Sequence, residues 1–179
     1  DMNEFKLHVQ LAKDTSFVIG LPLCDLLMSN DANYPWFILV PRVAGIDEVY
    51  QLEWEQQQQF LNESSMLAEL LMQEFNGDKM NVAALGNVVE QLHVHHVVRY
   101  KTDVSWPKPI WGQQQSSPYT DAELESLKEK ILPKIDLTEV DYVFIDGGHS
   151  YETVKSDLNN CKIVIENKGI VLCDDYNLS

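Results

Sequence analysis

Residues 52–75 constrain the fold of this chain more than any other segment. Their apolar side chains recur at the spacing that places them on one face of a helix, and the residues concerned are Phe60, Leu67, Leu71 and Phe75. The sequence Asn-Gly-Asp at 76–78 ends the pattern, because Asn and Gly favour the turn that follows a helix. We therefore expect one long helix whose apolar face packs on a sheet.

Three short segments before this helix have the composition of strands. They cover residues 17–19, 23–28 and 36–40. Gly20, Pro22 and the polar residues 30–35 separate them, as turns would. Residues 5–12 alternate weakly between apolar and polar. Together these segments would begin an antiparallel sheet.

A second helix is indicated after residue 119. Thr120 and Glu123 form a capping-box pattern, in which the hydroxyl and the carboxylate each satisfy a backbone N–H group. The apolar stripe of this helix consists of Leu124, Leu127 and Ile131. We expect it to end near Pro133, which gives an α+β fold: an antiparallel sheet with one long and one C-terminal helix.

The composition of the 179-residue chain limits its classes of function. With 45% hydrophobic residues, the chain can bury the core of one domain. Its net charge of -15 disfavours a nucleic-acid polymer as ligand, because neutralising many phosphates requires clustered Lys and Arg. A single nucleotide stays compatible. We expect no membrane partner, since no apolar run is long enough to cross a bilayer and no secretory signal precedes the first strand.

The cysteines indicate the compartment. Cys24, Cys161 and Cys173 have neither the spacing of a disulfide framework nor that of a metal site, which is typical of a protein in the reducing cytoplasm. We therefore expect a cytoplasmic location. Asp1 before Met2 resembles a residue left by a cloning tag.

Residues 91–98 contain the candidate reaction site. In a strand, the period of two would place Gln91, His93 and His95 on one face. One imidazole could then attack as a neutral nucleophile while its neighbour gives or takes a proton, which suits phosphoryl or nucleotidyl chemistry. The alternative is that both rings are half-buried strand residues satisfied by backbone carbonyls.

Flanking residues favour a phosphate site. Residues 80–87 predict a strand that runs into a turn at Gly86 and Asn87, whose free N–H groups could hold a phosphate beside the imidazoles. Arg99 has the parity of His93 and His95, so its guanidinium could pair with a phosphate on the same face. Alternatively, Arg99 is a solvated strand end.

These residues resemble the motif of the histidine-triad (HIT) superfamily, His-φ-His-φ-His-φ-φ with φ apolar, preceded by a Gly-polar phosphate turn. Gln91 occupies the first His position, His93 that of the nucleophile and His95 the third. Two further positions depart from the family. Val88 replaces a Ser or Thr beside the Gly86–Asn87 turn, and His96 replaces an apolar residue. His96 would point to the opposite face, as a polar residue at a strand edge.

A second motif refines the resemblance. Relatives that have Gln in the first position tend to carry Asp-x-x-Trp-Pro-x-Pro-x-Trp-Gly soon afterwards, and residues 103–112 match it. In the family, the backbone carbonyl of the first residue helps to orient the nucleophile, a role that Gln91 can still perform.

The resemblance implies a mechanism and a site. His93 would attack the α-phosphate of a nucleotide conjugate, and water would hydrolyse the nucleotidyl-histidine, while His95 stabilises the phosphate or the leaving group. The Gly86–Asn87 turn would hold the phosphate, and Asn30 or Asp31 would contact the ribose. The family also implies a homodimer and a small-molecule nucleotide substrate. No cofactor is required for this chemistry, although a divalent cation is compatible with it.

Two other functions stay open for this region. If Gln91 and Val88 mark lost chemistry, the protein is a non-catalytic nucleotide-binding or sensing module. His93 and His95 could instead hold a metal, but no third ligand of the right type is nearby in the sequence.

The tail departs from this pattern. Residues 140–146 and 169–173 predict strands around a helix at 150–166, which makes one β-α-β unit. The unit resembles the later half of a metal-dependent class I S-adenosylmethionine methyltransferase, in which Asp146, Asp174 and Asp175 would ligate a divalent cation. The glycine-rich cofactor loop of that family is absent from the sequence.

We therefore divide the chain into a HIT-like domain at 1–133, a junction at 134–139 and a methyltransferase-like segment at 140–179. About 40 residues cannot bury an independent core without help. The segment is then an artificial splice, a natural remnant docked on the first domain, or a fragment that needs a partner chain.

Overall fold

The computed structural model of the chain describes residues 4–135 together with the backbone of 142–145 and 170–173. Its first sheet contains β1 (Thr15–Gly20), β2 (Cys24–Ser29), β3 (Trp36–Pro41), β4 (Lys79–Ala83) and β5 (Val94–Arg99). The helices are α1 (Val9–Asp14), α2 (Trp54–Phe75) and α3 (Asp121–Ile131). A further pair of strands consists of β6 (Tyr142–Ile145) and β7 (Ile170–Cys173).

The first sheet is antiparallel and has the order β1-β2-β3-β5-β4. The strands predicted before the long helix are present, and the predicted α+β class is confirmed. Because β5 lies between β3 and β4, it is an interior strand. His95 is therefore flanked by Ile38 on β3 and by Ala83 on β4.

Helix α2 covers one face of this sheet, as the periodicity predicted. Its buried apolar residues include Phe60, Leu67 and Leu71. Leu67 and Leu71 are fully buried, so truncation of either to Ala would cost about 2–5 kcal/mol. The helix ends at Phe75 and is capped by Asn76, whose left-handed backbone conformation (φ 48°) confirms the predicted stop.

His96 connects this helix to the sheet. The residue is fully buried on the face opposite His95, and its Nε2 lies 2.7 Å from the hydroxyl of Ser64 on α2. Its Nδ1 lies 3.1 Å from the carbonyl oxygen of Val94. The expectation of a polar residue at a strand edge was wrong, because β4 pairs with β5 on its outer side. Burial lowers the pKa of His96 to about 4.

The weak alternation over residues 5–12 does not correspond to a strand. Helix α1 begins there at Val9, and the Nδ1 atom of His8 accepts a hydrogen bond from the backbone N–H of Gln10. Leu11 is the buried residue of this helix. With six residues, α1 is too short for its apolar period to be read in the sequence.

Helix α3 has the predicted capping box. The Thr120 hydroxyl accepts from the backbone N–H of Glu123, and the Glu123 carboxylate accepts from the backbone N–H of Thr120. A short 3-10 turn at Leu132–Lys134 follows, in agreement with an end near Pro133.

The strands β6 and β7 of the tail pair in parallel. Both lie where the sequence predicted strands. The helix predicted at 150–166 and the candidate metal ligands Asp146, Asp174 and Asp175 lie outside the described residues. Within the described part of the chain, no helix combines the length and the hydropathy needed to span a bilayer.

Candidate active site

His93 directly precedes β5 and is held by the backbone of Gln91. Its Nδ1 lies 2.6 Å from the carbonyl oxygen of Gln91. Because a carbonyl only accepts hydrogen bonds, Nδ1 carries the ring proton and Nε2 keeps a lone pair that can attack. The predicted strand over 91–98 was too long at its start. The strand begins at Val94, and the N–H of Leu92 donates to the carbonyl of Ile46 in a preceding loop.

His95 lies on β5 with its ring 5.0 Å from that of His93, centroid to centroid, in an edge-to-face arrangement. Its Nδ1 accepts a hydrogen bond of 3.0 Å from the indole Nε1–H of Trp36. An indole N–H only donates, so the neutral ring of His95 carries its proton on Nε2. Burial, followed by the charges of His93 and His96, lowers the pKa of His95 to about 3.

Both histidines line one cavity of about 380 Å³. Gly86 and Asn87 line it as well, so the predicted turn and the two imidazoles share one site. Gly86 has a positive φ of 68°. Glycine adopts this backbone conformation freely, whereas residues with a Cβ atom disfavour it. Val88 follows with 92% of its surface exposed. Apolar and aromatic side chains complete much of the wall, among them Leu11, Ile38, Leu85, Val89, Trp36 and Trp111.

Arg99 is a structural residue rather than a phosphate ligand. Its guanidinium donates from Nε and Nη2 to the carboxylate of Asp103, at 2.7 and 3.0 Å, and from Nη1 to the amide oxygen of Asn81 at 2.8 Å. The side chain is 1% exposed and lies near the rings of Tyr34 and Trp106. The predicted face was right, but this ion pair and burial leave no surface of Arg99 for a phosphate.

Asn30 and Asp31 line a neighbouring cavity of about 400 Å³ rather than the one that contains the histidines. The amide oxygen of Asn30 accepts from the hydroxyl of Ser16 at 2.9 Å. The Asp31 carboxylate accepts from the backbone N–H groups of Asn33 and Ser117. The two cavities have wall residues in common, namely Asp14, Ser29, Trp36 and Trp111.

Two tryptophans that the sequence left without a role stand between these cavities. The rings of Trp36 and Trp111 are 6.3 Å apart and perpendicular, and Trp111 also lies edge-to-face 5.2 Å from His95. The buried indole N–H of Trp111 has no hydrogen-bond partner among the described residues. Trp111 belongs to the segment 103–112, so the second motif was the available signal for this part of the site.

No three His, Cys, Asp or Glu side chains within the described residues lie close enough together to hold a metal ion. The arrangement of His93 and His95 beside a turn has features that suit histidine-based chemistry. It combines a nucleophilic nitrogen, a neighbouring N–H donor and a glycine turn in one cavity.

The chain is similar to known proteins in sequence and in fold. A model of the HIT domain matches residues 10–102. No curated protein is significantly similar to the chain.

Solved structures resemble most of the chain. A histidine triad protein from Marinobacter aquaeolei VT8 is 55% identical, with a TM-score of 0.73, and the match covers 74% of this chain and 96% of that one. A histidine triad protein from Bradyrhizobium japonicum is 39% identical, with a TM-score of 0.73 and coverage of 74% and 99%. A third, from Sinorhizobium meliloti 1021, is 35% identical, with a TM-score of 0.71 and coverage of 73% and 96%.

Proposed function

The chain belongs to the HIT family, which includes hydrolases and transferases, and we propose that it is a nucleotide hydrolase or nucleotidyl transferase acting at the α-phosphate through a nucleotidyl-histidine intermediate. The observation that carries the proposal is the hydrogen bond between Nδ1 of His93 and the carbonyl oxygen of Gln91. It leaves the Nε2 lone pair of a cavity-lining imidazole free to attack.

In the first step, Nε2 of His93 forms a bond to the α-phosphorus, and the bond from phosphorus to the leaving group breaks with its electron pair. The ring becomes positively charged, and the Gln91 carbonyl stabilises that charge through the Nδ1–H bond. In the second step, water or an acceptor hydroxyl attacks phosphorus, the bond from phosphorus to Nε2 breaks with its electron pair returning to His93, and the proton of the attacking group passes to solvent. The backbone carbonyl performs this task whatever side chain residue 91 carries.

The turn at Gly86 and Asn87 would hold the phosphate. Its residues line the same cavity as His93, and the positive φ of Gly86 turns the chain there. In other enzymes, removal of one hydrogen-bond donor aimed at developing charge costs about 2.7–4 kcal/mol of transition-state stabilisation. Asn30 stays a candidate for ribose contact, from the neighbouring cavity across Ser29.

The second candidate is a non-catalytic nucleotide-binding or sensing module, and the observation that favours it is Val88. This residue follows the turn with 92% of its surface exposed and has no hydroxyl to offer a phosphate. Such a module would bind nucleotide but form no covalent adduct.

Release of AMP from diadenosine polyphosphates and from adenosine 5′-phosphoramidate tests both candidates. We would compare the intact chain with His93→Ala and search for a nucleotidyl-protein mass increment. If AMP release and the mass increment are both seen in the intact chain and both vanish in His93→Ala, the result would support the hydrolase or transferase. Nucleotide binding without release in the intact chain would support the sensing module.

The finer assignment within the family is also a proposal. We propose the subgroup with Gln in the first position, because Gln91 and the segment 103–112 occur together and two residues of that segment have structural tasks. Asp103 pairs with Arg99, and Trp111 packs against His95.

We further propose a cytoplasmic homodimer. The edge position of β4, where Val82 is half exposed, supports a second copy, and light scattering would test it.

We propose that the chain divides at residues 134–139. Support comes from the solved relatives, whose almost complete lengths match only about three quarters of this chain. For residues 140–179 we propose a methyltransferase-type β-α-β segment, with the parallel pairing of β6 and β7 in its favour. Calorimetry with S-adenosylmethionine tests it, and absence of binding would count against a cofactor role for this segment.

A further inference from the structure

We infer that Trp36 holds His95 as a neutral hydrogen-bond donor, and that the site therefore favours conjugates whose leaving group departs as an anion over conjugates whose leaving group needs a proton. The inference rests on the proposed function and deepens it by naming a substrate class: phosphoric and acyl-phosphoric anhydrides rather than N-alkyl phosphoramidates. Trp36 is a positioning residue in this account, because it acts through His95.

The hydrogen bond between the two rings carries the first step of the argument. The indole Nε1 of Trp36 lies 3.0 Å from Nδ1 of His95 and can only donate. A proton added to Nδ1 would replace its lone pair with a second N–H group that points at the indole N–H. The charged ring would lose this bond, so the contact favours the neutral ring with its proton on Nε2.

The surroundings of His95 oppose a positive charge as well. The residue is 6% exposed, with the rings of Trp36 and Trp111 against it. His93 is the titratable neighbour on the cavity side, and His96 is the next residue on the same strand. Asp14 of α1 also lines the cavity, and its carboxylate accepts from the side-chain amide of Gln10. With these groups in place, the pKa of His95 lies at about 3.

A neutral imidazole with its proton on Nε2 can donate a hydrogen bond but has no acidic proton to transfer. Transfer from Nε2 would leave an imidazolate next to the lone pair on Nδ1. When Nε2 of His93 bonds to phosphorus, the electron pair of the breaking bond therefore stays on the leaving atom. Phosphate, pyrophosphate and carboxylate are stable with that pair, whereas an amine requires a proton as it leaves.

The matched variants are Trp36→Phe and Trp111→Phe. Both remove an indole from the wall of the same cavity, but only the first removes an N–H that binds His95. We would measure kcat/KM for diadenosine triphosphate and for an N-alkyl phosphoramidate of AMP between pH 5 and 8. The unaltered chain should prefer the anhydride by about 100-fold, the lower range of general-acid effects.

Trp36→Phe should reduce this preference by about tenfold, because His95 can then adopt the tautomer whose lone pair lies on Nε2 and which no longer donates a hydrogen bond to the departing oxygen. Trp111→Phe should retain the preference and the shape of the pH profile. A preference near unity in the unaltered chain, or the same change in both variants, would overturn the inference.

Nitrogen-15 spectra of the histidine rings test the same contact without turnover. In the unaltered chain, Nδ1 of His95, assigned by comparison with His95→Gln, should be unprotonated from pH 5 to 8. In Trp36→Phe it should show both tautomers, because the indole N–H that selects one of them is gone. A protonated Nδ1 in the unaltered chain would overturn the inference. If no substrate is cleaved while the spectra agree, the proposed function fails and the positioning by Trp36 stands.

Discussion

The side chain of Gln91 is bonded to the backbone of the N-terminal segment at His8. Its Oε1 accepts from the N–H of His8 at 2.8 Å, while its Nε2 donates to the carbonyl of Lys6 at 2.9 Å. His8 caps helix α1, and Leu11 of that helix lines the cavity of the two histidines. One residue thus orients His93 with its backbone and fixes a wall of the cavity with its side chain.

Gln91→Leu should therefore raise KM several-fold and leave kcat nearly unchanged. The side-chain hydrogen bonds contribute about 0.5–1.5 kcal/mol each, whereas the carbonyl that orients His93 is retained. Steady-state kinetics with a diadenosine polyphosphate would measure the split, and Gln91→Glu, which keeps the acceptor and loses the donor, should be intermediate. A loss of kcat as large as that of His93→Ala would contradict this account.

Asp103→Asn should destabilise the fold by about 3–5 kcal/mol, because it leaves the guanidinium of Arg99 buried without its carboxylate. Urea unfolding would measure the change. As a control, Lys128→Gln removes the partner of the exposed Glu125 and should cost no more than about 1 kcal/mol. If Arg99 instead bound phosphate, Asp103→Asn would change nucleotide affinity with little effect on stability.

Gly77→Ala should destabilise the protein by about 1–3 kcal/mol, because the added Cβ would overlap with the Cγ1 atom of Val98. Val98 is fully buried, so moving its side chain would disturb the core residues packed around it. A double-mutant cycle with Val98→Ala provides the test: the cost of Gly77→Ala should fall sharply when Val98 is truncated. Additive costs would show that the close approach has no energetic weight.

Val88→Ser should increase kcat/KM by about two- to tenfold, which corresponds to one added hydrogen bond of about 0.5–1.5 kcal/mol to a bound phosphate. The position follows the Gly86–Asn87 turn and is exposed, so the substitution disturbs no packing. Val88→Ala is the matched control, since it removes the same side chain without adding a hydroxyl. Equal rates for the two variants would mean that residue 88 does not contact the phosphate.

Local signals carried most of what the sequence could predict. The stop of α2 at Asn76 and the box between Thr120 and Glu123 depend on residues close together in the chain, and both were read correctly. The start of β5 depends instead on the distant bond between Leu92 and Ile46, which no local period reports.

The site divides in the same way. The spacing of His93 and His95 in the sequence was sufficient to predict that their rings lie side by side. Trp36 lies 59 residues before His95 in the chain, so its hydrogen bond follows only from the pairing of β3 with β5. Arg99 was given the right face but the wrong partner, because parity does not report which carboxylate is buried beside it.

The two buried imidazoles on β5 also set an acid limit for the folded chain. The pKa of His96 is about 4 and that of His95 about 3, both below the value of about 6.5 that an unfolded histidine has. As the pH falls below the pKa of the unfolded histidines, protons bind to the unfolded state but not to the folded state. The free energy of unfolding therefore declines until the pH reaches the pKa values of the folded state. The packing that keeps these two rings uncharged thereby determines how acidic a medium the protein can tolerate.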